Sequence, residues 1–339
     1  MGEKMKRLGF LIFLIMMVIG LTGCEEDNET DIINKLDKKI EKTDGYQLTG
    51  TLKLLNNEET YLYNVEVAYS SEDKFRVSLI NQNNNHEQII LRNEDGVYVL
   101  TPSLNKSFKF ESEWPYNNSQ IYILQTLIDD IKSDKNYNFE KKNNQYIFKT
   151  VVDYPNNSKL IKQKIYLDKK LNLKKVEVLD RDNKVQMSMK FDEIKLNKNF
   201  KKNYFDLDSN MKVSQNNETF QPTSKIEDSL YPMYLPENTY LEKEDKVSKE
   251  DGERLIMTFS GDSPFMIIQE TVSVTDDYTV IPVYGEPTLL PDTIAALADN
   301  ELSWISDGIE YYMVSSELES DQLVNVANSI NVASVIDQK

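Results

Sequence analysis

Reactive side chains are scarce in this chain. Cysteine occurs once, at Cys24, and histidine once, at His86. One thiol excludes a disulfide framework, and one imidazole excludes both a His-based metal cluster and a Ser/His/Asp triad. Eleven glycines in 339 residues leave no Gly-rich cradle for phosphate, and no GxSxG, HExxH, Walker or GxGxxG pattern occurs. After residue 23 no apolar run approaches the roughly 20 residues that span a bilayer. His86 follows the Asn-rich run Asn81-Gln82-Asn83-Asn84-Asn85, which reads as a turn, so it is expected at an exposed loop edge.

The N-terminus is informative. Lys4, Lys6 and Arg7 form a basic segment, Leu8 to Leu21 an apolar one, and Leu21-Thr22-Gly23-Cys24 completes a bacterial lipobox. The small residues Thr22 and Gly23 suit a signal peptidase, which predicts a mature chain beginning at a lipidated Cys24. Diacylglycerol with further acylation anchors stably, because two chains suffice where one is marginal. Localisation is expected at the extracytoplasmic face of the cell membrane. The thiol is then spent on lipid, which removes thiol catalysis and cysteine metal sites.

Charge divides the remainder. Residues 24–225 hold 31 basic and 32 acidic residues, whereas residues 226–339 hold 5 and 23. The acidic C-terminal part would be repelled by phosphates, so no nucleic-acid role is expected. A shift this sharp marks a domain boundary. Carboxylate pairs such as Asp129-Asp130 and Asp276-Asp277 read as solvated acidic turns with ordinary titration. Glu242 to Glu253 is interleaved with Lys243, Lys246 and Lys249, which reads as a self-neutralised surface without the spacing of a calcium loop. No catalytic residue, metal or cofactor is expected.

Residues 24–30 read as a tether. A helix is expected from an N-cap at Asp31 to about Lys42, with Ile32, Ile33, Leu36 and Ile40 along one stripe. The period then changes from 3.6 to 2. Alternating segments at Tyr46–Leu55, Tyr61–Tyr69, Lys74–Ile80, Glu87–Arg92, Val97–Leu100 and Ser107–Phe110 predict an antiparallel meander. Trp114-Pro115 breaks it, Ser119 to Lys132 reads as a second helix, and five further strands follow between Tyr137 and Ile194. The fold class is mainly β (α+β), an unclosed antiparallel half-barrel over residues 31–208 with the helices as its cover. Residues 209–229 read as a linker, and 230–339 as a small α+β domain with strands at Arg254–Phe259, Phe265–Val272, Thr279–Val283 and Ile309–Ser315 and a helix near Ser320–Ile330.

Alternating apolar positions (Tyr46, Leu48, Leu52, Leu54, Leu62, Val65, Val67, Phe75, Val77, Leu79, Ile89 and Leu91) fit either a lipid-lined cavity or a filled core. From Lys159 to Lys202 the chain carries 14 basic residues against 6 acidic. On alternating strands, Lys162, Lys164, Lys174 and Lys190 are expected to share a polar face. That face fits an acidic partner, lipid headgroups or a wall polymer, as well as a solvated sheet edge or the acidic C-terminal domain itself.

Ile33-Asn34-Lys35-Leu36 and Gly45-Tyr46-Gln47-Leu48-Thr49-Gly50-Thr51-Leu52 resemble the opening helix and strand of the LolA/LolB-like lipoprotein superfamily. Tyr234-Leu235-Pro236-Glu237, Trp304, Gly308-Ile309-Glu310-Tyr311-Tyr312 and Leu323 to Ile330 resemble the C-terminal domain of unknown function in YdcC-type sporulation lipoproteins of endospore formers. The germination lipoprotein GerS, a partner of the cortex amidase CwlD, is a relative expected to lack that second domain. The resemblance implies a non-enzymatic, membrane-anchored lipoprotein of the Gram-positive envelope. It would bind or scaffold a protein partner, such as a cell-wall amidase, in sporulation or germination. Two alternatives accompany it: a carrier of lipid or lipoprotein holding an acyl chain, and an envelope-stress sensor like RseB.

Overall fold

The computed structural model describes residues 28–56, 59–214, 225–226, 230–250, 252–273 and 277–332. Leu21, Thr22, Gly23 and Cys24 lie outside the described residues, as does most of the expected linker. Helix α1 spans Glu29–Glu41 and so takes in two residues of the expected tether. Its N-cap is Asn28 rather than Asp31: the Asn28 side-chain oxygen accepts the Asp31 N–H at 2.9 Å.

Strands β1 (Gly45–Asn56), β2 (Glu59–Ser70), β3 (Lys74–Asn81), β4 (Glu87–Asn93), β5 (Gly96–Thr101) and β6 (Lys106–Phe110) form the expected meander. Helix α2 spans Leu124–Ser133 and starts later than its apolar pattern suggests. Ser119 is held elsewhere: its N–H donates to the Asp153 carbonyl at 2.8 Å and its hydroxyl to Asp130 at 2.9 Å. Strands β7 (Asn138–Lys142), β8 (Gln145–Val151), β9 (Lys162–Asp168), β10 (Leu173–Leu179) and β11 (Val185–Leu196) make the second meander. Antiparallel pairing of β1 with β11 joins the two meanders into one sheet. At Gly50 the register slips, and a Cβ there would meet the Lys190 carbonyl oxygen at 2.2 Å. Only glycine permits that approach, and the bulge sharpens the curvature of the sheet.

Helix α3 (Leu207–Ser214) occupies the start of the expected linker. Fully buried Met211 and neighbouring Phe205 pack on Ile89, Leu91, Tyr98 and Leu100 at the outer face of β4 and β5. Those strands carry consecutive apolar residues, so both of their faces need cover. Ile89 and Leu91 therefore point away from the interior. Leu62 also faces outward, since Tyr61, Tyr63 and Val65 take the inner positions of β2.

In the C-terminal half, β12 (Leu230–Pro232), β13 (Thr239–Lys249), β14 (Gly252–Gly261) and β15 (Phe265–Thr271) are followed by β16 (Thr279–Val283). Then come β17 (Glu286–Leu289), β18 (Ile294–Leu297), β19 (Glu301–Ser306), β20 (Ile309–Ser315), α4 (Ser320–Ala327) and β21 (Ile330–Val332). Seven of the strands make a sheet in the order β13-β14-β15-β20-β19-β18-β17, and β12 pairs with β21. A capping box between Glu319 and Gln322 starts α4, which buries Leu323, Val324, Val326 and Ala327 against Leu255, Met257, Trp304, Tyr311 and Met313. Each Leu, Val or Met side chain so removed from water contributes about 1.5–3 kcal/mol.

Strand β16 falls where a strand was expected but joins the other sheet. It pairs in parallel with β6, completing a 12-stranded sheet in the order β16-β6-β5-β4-β3-β2-β1-β11-β10-β9-β8-β7. The sheet is unclosed, with β16 and β7 as its edges. Its concave face is covered from two sources. Ile32, Leu36, Leu124, Leu127, Ile128 and Ile131 descend from α1 and α2, and Val272, Ile294, Ala296 and Ile305 come from the C-terminal half. The helices alone were the expected cover; the second sheet shares that task.

Candidate functional site

Three surfaces could hold a partner or ligand. The largest is a groove of about 830 Å³ between the two sheets. Leu54, Met187, Leu289 and Leu290 supply its apolar wall, and Met233 and Tyr234 stand at its lip, 64% and 46% exposed. The loops after β8 and β10 add Lys159, Arg181 and Lys184 together with Asp180 and Asp182. Polar contacts hold the groove's walls together. Tyr63 donates its hydroxyl proton to the Pro291 carbonyl at 2.8 Å, Asn56 donates to Asn328 at 2.8 Å, and Ser158 donates to Asp321 at 3.0 Å. Above them, the Gln88 side-chain oxygen accepts from the Ile294 N–H at 2.7 Å, and Lys106 pairs with Glu310. The acidic half therefore meets the first sheet along the groove, through few direct charge pairs.

The second surface is an apolar pocket of about 320 Å³ beneath the helices. Leu36, Ile40, Leu127 and Ile131 roof it, and Ile165, Leu167, Leu173 and Ile194 form its floor. Of the twelve alternating positions proposed for a lipid lining, none lines this pocket. The inward-facing ones fill the core of the first meander instead, while the pocket lies over the second.

The third is the basic outer face. Lys162 and Lys164 on β9 and Lys190 on β11 share it, as the pairings Lys164↔Glu177 and Lys175↔Lys190 require. Lys174 sits at a register slip at the start of β10 and pairs with Asp168 at 3.3 Å. Acidic partners are interleaved: Lys175 with Glu177 at 2.7 Å, Lys149 with Glu140, and Lys190 with Asp192 at 3.9 Å. Lys159, Arg181 and Lys184 at the groove were missed as a group. The visible signal was their position in turns, beside Pro155-Asn156-Asn157 and Asp182-Asn183.

Titration departs from expectation at one of the carboxylate pairs. Burial pushes Asp130 up to about 6, against hydrogen bonds from Ser119 and Gln163 that pull it down. Those bonds tie α2 to β9, because the Gln163 Nε2 donates at 2.6 Å. His86 is half-buried beside the turn before β4 rather than exposed. Among the described residues no group of three His, Cys, Asp or Glu side chains could hold a metal ion, and no helix is long and apolar enough to cross a membrane. The acidic stretch at Glu242 lies on β13, where Lys243 pairs with Asp245 at 2.6 Å and Lys246 with Glu253 at 2.8 Å.

Among solved structures, the chain is similar to the MucA/MucB complex of Pseudomonas aeruginosa, with a TM-score of 0.34 and 12% identity over 89% of this chain and 99% of that one. It is also similar to the CwlD amidase of Clostridioides difficile in complex with the GerS lipoprotein, with a TM-score of 0.30 and 15% identity over 52% and 98%. Neither likeness is close enough to carry a role across. The sequence comparison is far stronger. Sporulation protein YdcC of Bacillus subtilis (strain 168) is 36% identical over 333 residues, covering 96% of this chain and 98% of that protein. The family model described as sporulation protein YdcC-like matches residues 4–205, the stretch that runs from the basic N-terminal segment through both meanders. The chain thus belongs to the YdcC-like family of sporulation proteins.

Proposed function

We propose that this protein is a non-enzymatic lipoprotein, anchored through Cys24 at the extracytoplasmic face of the membrane, that binds an envelope protein partner during sporulation or germination. The two units at residues 31–208 and 230–339 act together, and the observation that carries the reading is the groove between their sheets. It has an apolar wall, an end of mixed charge where Lys159, Arg181 and Lys184 stand with Asp180 and Asp182, and exposed Met233 and Tyr234, side chains of the kind that anchor protein contacts. The scarcity of reactive side chains points the same way. An apolar segment of a cell-wall amidase, flanked by polar groups, is the partner this chemistry suits.

A photo-crosslinking residue at Met233 tests this in sporulating cells. One discrete adduct is expected, lost in the double variant Arg181→Glu/Lys184→Glu, and absent when the crosslinker sits at Val247 on β13. No adduct, or the same adduct from both positions, would overturn the groove assignment. An adduct containing no cell-wall hydrolase would overturn the amidase. A second reading, carriage of an acyl lipid, is favoured by the pocket under α1 and α2. Native mass spectrometry of protein purified without detergent should then show bound lipid, lost in Ile131→Asp.

A further inference from the structure

We propose that the end of the half-barrel built by the β7–β8 and β9–β10 turns is a membrane-facing surface that seats on anionic phospholipid headgroups, with Leu171 inserted among them. This rests on the Cys24 anchor proposed above and says which way the anchored protein faces.

The first argument is reach. Asn28, where the described chain begins, is four residues from Cys24, so the anchor lies within about 14 Å of it. Helix α1 starts beside β7, since the Glu29 carboxylate lies near the hydroxyl of Tyr137, the residue that leads into that edge strand, and adds to burial in raising its pKa. At its other end α1 holds the β9–β10 turn, where the Lys39 ammonium donates to the Leu171 carbonyl at 3.4 Å and to Asn172 at 3.2 Å. The helix, about 20 Å long, therefore links the anchored end of the chain to the β9–β10 turn across the concave face that it covers.

The second argument is charge. Pairing of Gln145 with Asp168 sets the two turns side by side. They display Lys141, Lys142, Lys169 and Lys170, all exposed. Lys141 and Lys169 lie over the Tyr146 ring, 5.9 and 4.5 Å from its centroid, which binds the two turns into one surface. Lysines held this close to a negative leaflet are attracted across about one Debye length.

The third argument is Leu171. Ten described non-glycine residues have positive φ, and nine are Asn or Asp, which tolerate the left-handed region. The exception is Leu171, at φ +59°. Asp168 fixes the turn by accepting the N–H groups of Lys170 and Asn172, both at 2.9 Å. A leucine is thus held in a conformation that suits asparagine better, at the mouth of the apolar pocket and between lysines. Its side chain is half-buried against the core, and the part left outside, flanked by Lys169 and Lys170, matches the boundary between headgroups and acyl chains.

The test uses the chain from residue 24 with Cys24→Ser, so that no lipid contributes, and phosphatidylcholine vesicles with or without phosphatidylglycerol. Binding is expected only to the anionic vesicles and should fall as salt rises from about 0.05 to 0.5 M. The combined variant Lys141→Glu/Lys142→Glu/Lys169→Glu/Lys170→Glu should bind on the order of 100-fold more weakly. Leu171→Asn should bind several-fold more weakly while its circular dichroism spectrum in the absence of urea matches that of the unsubstituted chain, so that loss of folding is told apart from loss of the membrane contact. Reversal at Lys162 and Lys190 should change binding less than about twofold. Equal binding to neutral vesicles, undiminished binding by the fourfold or Leu171→Asn variant, or binding to soluble teichoic acid with vesicles ignored would each overturn the proposal. The anchor is read separately, by incorporation of an alkyne fatty acid at Cys24 in cells, so its failure and that of the membrane face are told apart.

Discussion

Over β2 to β6 the concave face meets the second sheet, and over β9 to β11 it meets two helices. The first contact is a filled seam: Ile294, Ala296 and Ile305 join the core that holds Val65, Val77 and Phe110, and Gln88 satisfies the main chain that enters it. The second leaves a pocket of about 320 Å³. Helices meet a curved sheet along a line and leave space on either side, whereas a strand ladder follows the curvature. One half of the same sheet is thus closed by strand packing, with the groove at its margin, and the other keeps an apolar pocket.

That contrast can be broken by substituting the same residue type on each side. Ile294 and Ile131 are each 2% exposed. Ile294→Ala should cost about 4 kcal/mol, because the seam cannot collapse around the cavity. Urea unfolding followed by tryptophan fluorescence should show Trp114, in the first sheet's core, and Trp304, in the second's, shifting together. Separate shifts would mean that the seam does not couple the halves. Ile131→Ala should cost less, about 2 kcal/mol, since it enlarges a space already present. Equal or reversed costs in the two variants would contradict the contrast.

Asp130 sharpens the helix side. Its pKa is raised in the folded protein to about 6, against about 3.9 in an unfolded chain. Between those values the folded state holds more protons, so stability falls as pH rises through the window, and the deficit is complete above it. Asp130→Asn should therefore stabilise by about 1–2 kcal/mol at pH 7 and by nothing at pH 4. Gln163 can accommodate the change by turning its amide, because its side-chain oxygen has no partner. Chemical denaturation at both pH values checks this, and a loss at pH 7 would refute it. The smallest effect is expected outside, on the convex face. Lys174, 49% exposed in its pair with Asp168, should change stability by less than about 0.5 kcal/mol when replaced by alanine.

Alternation made the two meanders readable, since Tyr46, Leu48, Val65, Val67, Phe75 and Val77 need one buried face and one wet one. Where strands are buried on both sides, as at Ile89 to Leu91, alternation fades, and the covering helix at Met211 was read as linker. Strand β13 escaped notice because both its faces are exposed and its charges pair locally. Short β17 and β18 lack a period altogether. Of the candidate surfaces, only the basic strand face was legible. The groove joins Leu54 to Met233 and Leu290 through contacts far apart in the chain. The burial that shifts Asp130 depends on Gln163 and the loop at Asp153, which no local pattern reveals.

Strand β16 gives the molecule a property that neither sheet has alone. The chain leaves the second sheet after β15, contributes five paired residues, Thr279 to Val283, to the edge beside β6, and returns to build β17. Severing the backbone between the halves would thus leave them clasped by a main-chain ladder. To pull them apart requires peeling a strand off lengthwise. A pull applied between the two halves would load that ladder along with the packed seam, so they should transmit force as one body.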